Sequence, residues 1–380
     1  MLKTCQDNFT TTFQTYDQMW DYHNQLENES QWQRFKVCDL KIEPLDTASV
    51  LYSNPVAFSS GVTEDAVIDT ANNLGLAMRA NGTLYPIRDT AYKSLLDRAK
   101  INGTALPKLS RKQLSDVLNA CLSLYSSEAL LLIRNEKVAA VHSGDSSDYS
   151  VLPIDELLTV LKQKLDERFP GNKFVFGYSD HSVSSATWQM PNQKEELLGT
   201  YSKTLDSIGR TVLSNRMIPG IRFISSDTGV ASAKVSALLM GMQYPIHIGG
   251  RIAVDHRHQT KIQNFEEVLD LLFAQFGDSV TKLQKLLEIP VDYPVNTMTR
   301  ICKKLSLPKK ASIEAISMYE MAYGGGPATA HDVFMALQEI PFILRSEKAP
   351  ESKLLALEEN MARILSLKWS DYDLAKAVSY

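Results

Sequence analysis

FGYSDHSVSSA at residues 176–186 and FISSDTGVASA at residues 223–233 align with a constant offset of 47. They share Phe176/Phe223, Ser179/Ser226, Asp180/Asp227, Val183/Val230, Ser185/Ser232 and Ala186/Ala233. In each, a Ser-Asp pair interrupts an extended tract of apolar and small residues. Asp followed by His-Ser or Thr-Gly is turn chemistry, because the carboxylate accepts from backbone two residues on. The two stretches therefore read first as related β-hairpins and as an internal duplication. A second reading places Asp180 and Asp227 in one cleft as paired carboxylates, for a metal or for acid–base work. The spacing alone does not decide between them.

Around this pair the chain sorts into β-rich and helical stretches. Before it, ALLLIRN and KVAAVHS flank Asn135-Glu136 as a hairpin, and an amphipathic helix starts near Asp155. After a polar helix at 194–206 comes the longest β-rich tract, 217–254. Helical patterning then fills 265–276, 281–287, 295–305, 312–323, 329–344 and 352–367. Upstream, Met19, Trp20, His23 and Leu26 recur at helical spacing. VCDLKIEP reads as a strand ended by Pro44, and helices are expected to start at Asp46 and Thr63. Asn81-Gly82 separates two short extended pieces. Thr90 and Ser110 stand as N-caps of a helix pair, the first stopped by Asn102-Gly103. The expectation is an α+β fold: a central mixed or antiparallel β core with flanking helices and a helical C-terminal region. The divisions are an N-terminal α/β segment (1–80), a central α+β core (81–262) and a helical region (263–380).

With 44% hydrophobic and 22% charged residues over 380 positions, the composition is that of a soluble globular chain. A net charge of -4 argues against coating nucleic acid along the whole length, but leaves a local basic face open. Cys5, Cys38, Cys121 and Cys302 form no CxxC pair, so neither a disulfide framework nor a zinc knuckle is expected. Reduced thiols and no apolar segment in MLKTCQDNFTTTF lead to the expectation of a reducing cytoplasm. No apolar run approaches the ~20 residues of a membrane span, so no membrane partner is expected.

Two basic segments stand out. Residues 88–112 hold Arg88, Lys93, Arg98, Lys100, Lys108, Arg111 and Lys112 against Asp89 and Asp97, a net +5. Residues 300–310 add Arg300, Lys303, Lys304, Lys309 and Lys310 with no acid. Both are helix–loop–helix pieces that can set cations against phosphates, or simply be solvated faces. The 102–109 connection is too long for a helix-turn-helix, so base-specific reading is not implied. Asp255-His256-Arg257-His258 follows an apparent strand, and His256 and His258 would point the same way on extended chain. With Asp227 they are the weak candidates for a divalent metal; no metal and no cofactor is the preferred expectation. No G-x-S-x-G, GxGxxG or P-loop occurs, so no catalytic residue is assigned. The glycine run at 324–326, with Thr329 as the next N-cap, reads as a joint between helices.

Four stretches, YPIRDTAYKSLLDRAKING, ALLLIRN/KVAAVHSGDSSDYSVLPIDELL, GIRFISSDTGVASAKVSALL and PATAHDVFMALQEI, resemble the phage/plasmid-like protein family of bacterial mobile elements. The resemblance runs loosely over residues 80–367. It rests on Arg88, Ala91, Arg134, Ser226, Gly229, Thr329, Asp332, Ala336 and Leu337. This chain has Met240-Gly-Met-Gln where many members place Cys-Asn-Gly. The resemblance implies a context of DNA maintenance, recombination or counter-defence, and no established activity. The expected function is a non-catalytic DNA-binding accessory protein of recombination or single-strand-annealing type, with single strands favoured and Tyr85 and Tyr92 able to stack on bases. The hairpin-then-helix order at 129–168 is similar to the small β–β–β–α cores of annealing proteins. The alternatives are a counter-defence protein that binds and blocks a host protein complex, and a metal-dependent nuclease or hydrolase. Self-association is left open.

Overall fold

The computed structural model describes residues 3–242 and 244–380. The elements run β1 (Thr10–Phe13), α1 (Tyr16–Glu29), β2 (Gln31–Lys36), β3 (Lys41–Pro44), α2 (Glu64–Asn72), β4 (Leu76–Ala80), β5 (Thr83–Pro86), α3 (Ala91–Ala99), α4 (Arg111–Leu122), β6 (Glu128–Arg134), β7 (Lys137–Ser143) and α5 (Ile154–Arg168). They continue as β8 (Lys173–Asp180), β9 (Ser184–Gln189), α6 (Lys194–Ser207), α7 (Thr211–Arg216), β10 (Ile218–Ser225), β11 (Ala233–Met240), β12 (Ile246–Val254) and α8 (Ile262–Lys285). The remaining helices are α9 (Pro294–Lys304), α10 (Lys309–Tyr323), α11 (Ala330–Leu337), α12 (Glu339–Ser346) and α13 (Glu351–Ala362).

The centre is a six-stranded antiparallel sheet in the order β1-β8-β9-β10-β11-β12. Helices flank it, and the fold is α+β. Alternation along the strands decides what each face meets. Ala186, Trp188, Ile221, Phe223, Val235 and Leu239 point to one face, where α5, α6 and α8 bring Leu161, Tyr201, Phe265 and Phe276. The helices from α9 onward extend this core as far as Trp369. The opposite face carries small polar residues, with Arg222 at its centre. There α13 packs Leu355 on Tyr178, Val183 and Ile224, and pairs Glu358 with Arg222.

A second core lies under β3, β4, β6, β7, α3 and α4. It is built on two three-stranded sheets, β2-β6-β7 and β3-β4-β5. Asn119 of α4 clips to β3 with both ends of its amide: it accepts from the Ile42 amide (2.7 Å) and donates to the Ile42 carbonyl (2.8 Å). The cores do not follow the divisions at 80 and 262. Residue 80 lies within the β4–β5 hairpin, and the larger core runs from Phe13 to Trp369.

Segment 3–13 ties the two cores together. β1 pairs with β8, while Asp7 and Asp69 hold the fully buried Lys137 of β7. Asp7 also faces Arg88, which is only 1% exposed.

Several local expectations change. Residues 46–51 form turns rather than a helix, closed by bonds such as Ser49 N–H to the Asp46 carbonyl (2.9 Å). α8 is continuous across Gly277, where two helices were expected. The stretch 329–344 is two helices, with Pro341 in the first turn of α12, where a missing N–H costs nothing. Thr90 sits before α3, but its hydroxyl donates to the Ala139 carbonyl (2.7 Å) instead of capping. α5 packs in the larger core rather than on the β6–β7 hairpin, so 129–168 is not a β–β–β–α unit. That order occurs at β10–β12 followed by α8.

Candidate functional site

The two Ser-Asp turns are neighbours in space. β9 and β10 run antiparallel with Ser184 opposite Ser225, so the β8–β9 and β10–β11 turns leave the same end of the sheet. Ser226 Oγ donates to the Ser182 carbonyl (2.6 Å) and joins them. In the first turn, Asp180 Oδ1 accepts from the Ser182 amide (2.6 Å), the Ser182 hydroxyl (2.7 Å) and the Val183 amide (2.8 Å). Asp227 instead receives Arg134 Nη1 (2.6 Å). Arg134 also reaches Glu27 (2.7 Å) and donates Nε–H to Ser30 Oγ (2.6 Å). Both carboxylates line one recess, but its free volume is about 20 Å³, room for about one water. They share a recess too small for substrate, Asp180 is held by its own turn and Asp227 by Arg134, and in these contacts the two Asp residues serve the fold.

A larger polar cleft of about 430 Å³ opens on the far side of the second turn. Lys93, Ser94, Asp97 and Arg98 of α3 form one wall. Residues 228–232 and 255–257 form the other, and His142 and Tyr149 lie at its base. The floor is a ladder of rings. Tyr149 lies flat on His142 (centroids 3.5 Å apart, 3° between planes) and faces His256 (5.6 Å, 9°); Trp32 stacks beyond His142 (6.1 Å). The Asp227 carbonyl anchors the ladder, accepting from Tyr149 OH (2.9 Å) and His142 Nε2–H (2.8 Å).

Burial sets the charge of these rings. It pushes the Tyr149 phenol well above its ordinary value, His142 down to about 4, and His256 below the usual histidine value. All three are neutral at pH 7. His256 Nδ1 lies 3.1 Å from the Ser150 carbonyl, which only accepts, so Nδ1 carries the proton. Its Nε2 is then a bare lone pair, buried and without a partner among the described residues.

No family model matches this chain. No curated protein and no solved structure matches it either.

The seven basic residues singled out at 88–112 separate into two groups. Arg88 is buried, with Asp7 (3.4 Å) and the carbonyls of Gln6 and Asn135 (both 3.3 Å) around its guanidinium, so it is part of the scaffold. Arg111 donates to the Asn73 carbonyl, and Lys112 pairs with Asp116 one turn on (2.7 Å). Lys93, Arg98, Lys100 and Lys108 make no ion pair among the described residues. Lys93 and Arg98 line the cleft, Lys100 is the left-handed cap of α3, and Lys108 lies in the α3–α4 connection. Tyr85 and Tyr92 pack half-buried against the second core. In the second basic segment, Arg300 and Lys303 bind the carbonyls of Lys376 and Ser379, and Lys310 pairs with Glu347.

The weak metal candidates do not assemble. Asp227 is bound to Arg134, and Asp255 accepts from the Ser232 hydroxyl (2.6 Å). His258 sits exposed in a left-handed turn (φ 59°) while His256 is buried, because the strand ends at Val254. Among the described residues no three His, Cys, Asp or Glu side chains converge as a metal cage.

Sequence reasoning passed over Trp32, Asp148 and Tyr149 as functional residues. The polar run SGDSSDYS holds Asp148 and Tyr149 but nothing local marks Trp32; the ladder needs four segments to meet.

A second opening, about 860 Å³ and mostly apolar, lies among α7, α10 and α11 and the approach to β12. Tyr244, Met318, Tyr319 and Met335 line it, with Arg210 and Arg216 at its polar edge. Tyr323 also lines it and is 78% exposed, and Met321 on the same helix α10 is 79% exposed. Among the described residues no helix is long and apolar enough to cross a membrane.

Proposed function

We propose that this chain is a nucleic-acid-binding accessory protein that takes single-stranded DNA along α3 and the connection to α4. One observation carries the reading: Lys93, Arg98, Lys100 and Lys108 come from a single helix and loop, and none makes an ion pair among the described residues. Cations kept free of carboxylates are the groups that displace counterions from phosphates. The net charge of -4 then favours a local footprint over non-specific coating.

The test is fluorescence anisotropy with a labelled strand of about 40 nucleotides and with its duplex, across a salt series. Four phosphate contacts correspond to a log–log salt slope of about -3 for single strands. Lys93→Glu, Lys100→Glu and Lys108→Glu together are expected to abolish binding at physiological salt. Binding that ignores salt, or no binding to either form, overturns the reading.

A second reading, a protein that binds and blocks a host complex, is favoured by the apolar opening beside α10. On that reading Met321 and Tyr323 are anchor side chains, and Met321→Asp with Tyr323→Asp removes a stoichiometric complex with a host nuclease while leaving strand binding intact.

A further inference from the structure

The polar cleft offers more than a basic wall. We infer that it is a binding site for a nucleoside 5′-monophosphate group, free in solution or at the end of a strand. The cations come from two separate segments, Lys93 and Arg98 on α3 and Arg257 after β12. None of the three makes an ion pair among the described residues, although Asp97, Asp148 and Asp255 line the same walls. Two of these carboxylates are already turned to hydroxyls: Asp148 accepts from Ser143 (3.2 Å) and Asp255 from Ser232 (2.6 Å).

A wall of unpaired cations with carboxylates beside them does not suit a bare anion, which the acids would repel. It suits a ligand with a phosphate at one end and hydroxyl or amino hydrogens at the other. Two buried atoms define that complement further. Among the described residues Arg98 Nε–H has no acceptor and His256 Nε2 has no donor. An unsatisfied buried polar group is costly, and a ligand that brings an oxygen to one and an O–H to the other relieves both. His256 is fixed for this task by the Ser150 carbonyl behind it and by Tyr149 alongside. A cleft of about 430 Å³ lies within the usual range of small-ligand pockets, and its polar lining excludes an apolar occupant. This site is argued from the cleft walls and does not require that a strand lie along α3–α4.

Calorimetric titration of the full chain with thymidine 5′-monophosphate, thymidine and inorganic phosphate tests it. One monophosphate site is expected, with thymidine and phosphate each at least about tenfold weaker, a difference of about 1.4 kcal/mol. Arg257→Glu and His256→Phe are each expected to weaken the monophosphate about tenfold or more. If His256→Phe fails to fold, Arg257→Glu decides alone, since Arg257 is exposed at the rim.

Competition by a short 5′-phosphorylated strand, but not by its 5′-hydroxyl twin, assigns the group to a strand end. Binding of the mononucleotide without that competition assigns it to a free nucleotide. Equal binding of thymidine and its monophosphate, binding of neither, or indifference to Arg257→Glu overturns the inference. Monophosphate binding without salt-dependent strand binding keeps this site and removes the α3–α4 reading; the reverse pattern does the opposite.

Discussion

Arg134 has three partners at once, Glu27, Asp227 and Ser30, and is itself 10% exposed. Its fork closes the side of the second Ser-Asp turn whose main-chain carbonyl anchors Tyr149 and His142. Replacing it with Met leaves the Asp227 carboxylate buried without a counter-charge. Arg134→Met is expected to cost about 3–5 kcal/mol in denaturant unfolding, and adding Asp227→Asn should recover part of the loss. Arg134→Lys should also destabilise, because one ammonium cannot span three partners set for a planar fork. Gly241 is a different single-residue constraint. It adopts φ 83°, and a Cβ there would lie 1.9 Å from the Arg216 carbonyl oxygen. Gly209 has a similar φ of 78° with open space around it. Thermal unfolding should separate the two cases: Gly209→Ala loses about 1–2 kcal/mol for left-handed backbone alone, and Gly241→Ala loses clearly more.

At the scale of elements, Asp7 is where segment 3–13 grips β7, through Lys137 (2.9 Å), and the β5–α3 connection, through Arg88 (3.4 Å). Asp7→Ala is expected to raise amide exchange across residues 3–9 and to open that segment to protease, leaving exchange in β9–β11 unchanged. Unchanged protection of 3–9 would show that β1 alone secures it. Much of the element order was legible beforehand because its signals are local. Asn135-Glu136 and Asn81-Gly82 make their hairpins, and Thr63, Ser110 and Thr329 cap their helices as their hydroxyls suggest. The misreadings have tertiary causes. Thr90 lost its capping role to a carbonyl on β7, and Gly277 stayed helical because α8 lies along β11 and β12. The candidate site was legible only in fragments. Lys93, Arg98 and His256 were on view in the sequence, but nothing local says that 93, 149, 229 and 256 face one cleft, or that Arg88 turns inward while Lys93 does not.

Across the whole molecule, burial holds a set of histidines uncharged. His23 is driven down to about 3, and His142, His247 and His331 to about 4, from an ordinary value of 6.5. In the unfolded chain the same rings titrate near 6.5. Below that pH the unfolded state binds more protons, so their contribution is fully present above pH 6.5 and is lost as the pH falls toward 4. Each ring contributes a slope of about 1.4 kcal/mol per pH unit in that window. Tm measured from pH 7 to pH 4 should fall steeply, and His247→Gln should flatten the fall by about one ring's share. A Tm that is level over this range would contradict neutral burial. The chain's connectivity also carries a timetable. β8 to β12 are made in succession and pair with near neighbours, so the central meander can assemble as it leaves the ribosome. β1, synthesised some 160 residues before its partner β8, must wait for it. Its sequence TTTF suits the delay, with one apolar side chain to shield and little to aggregate. β1, translated before the other strands of its sheet, is thus placed to close it last, and until it does, the β8 edge is a point at which a nascent chain can pair with another copy of itself.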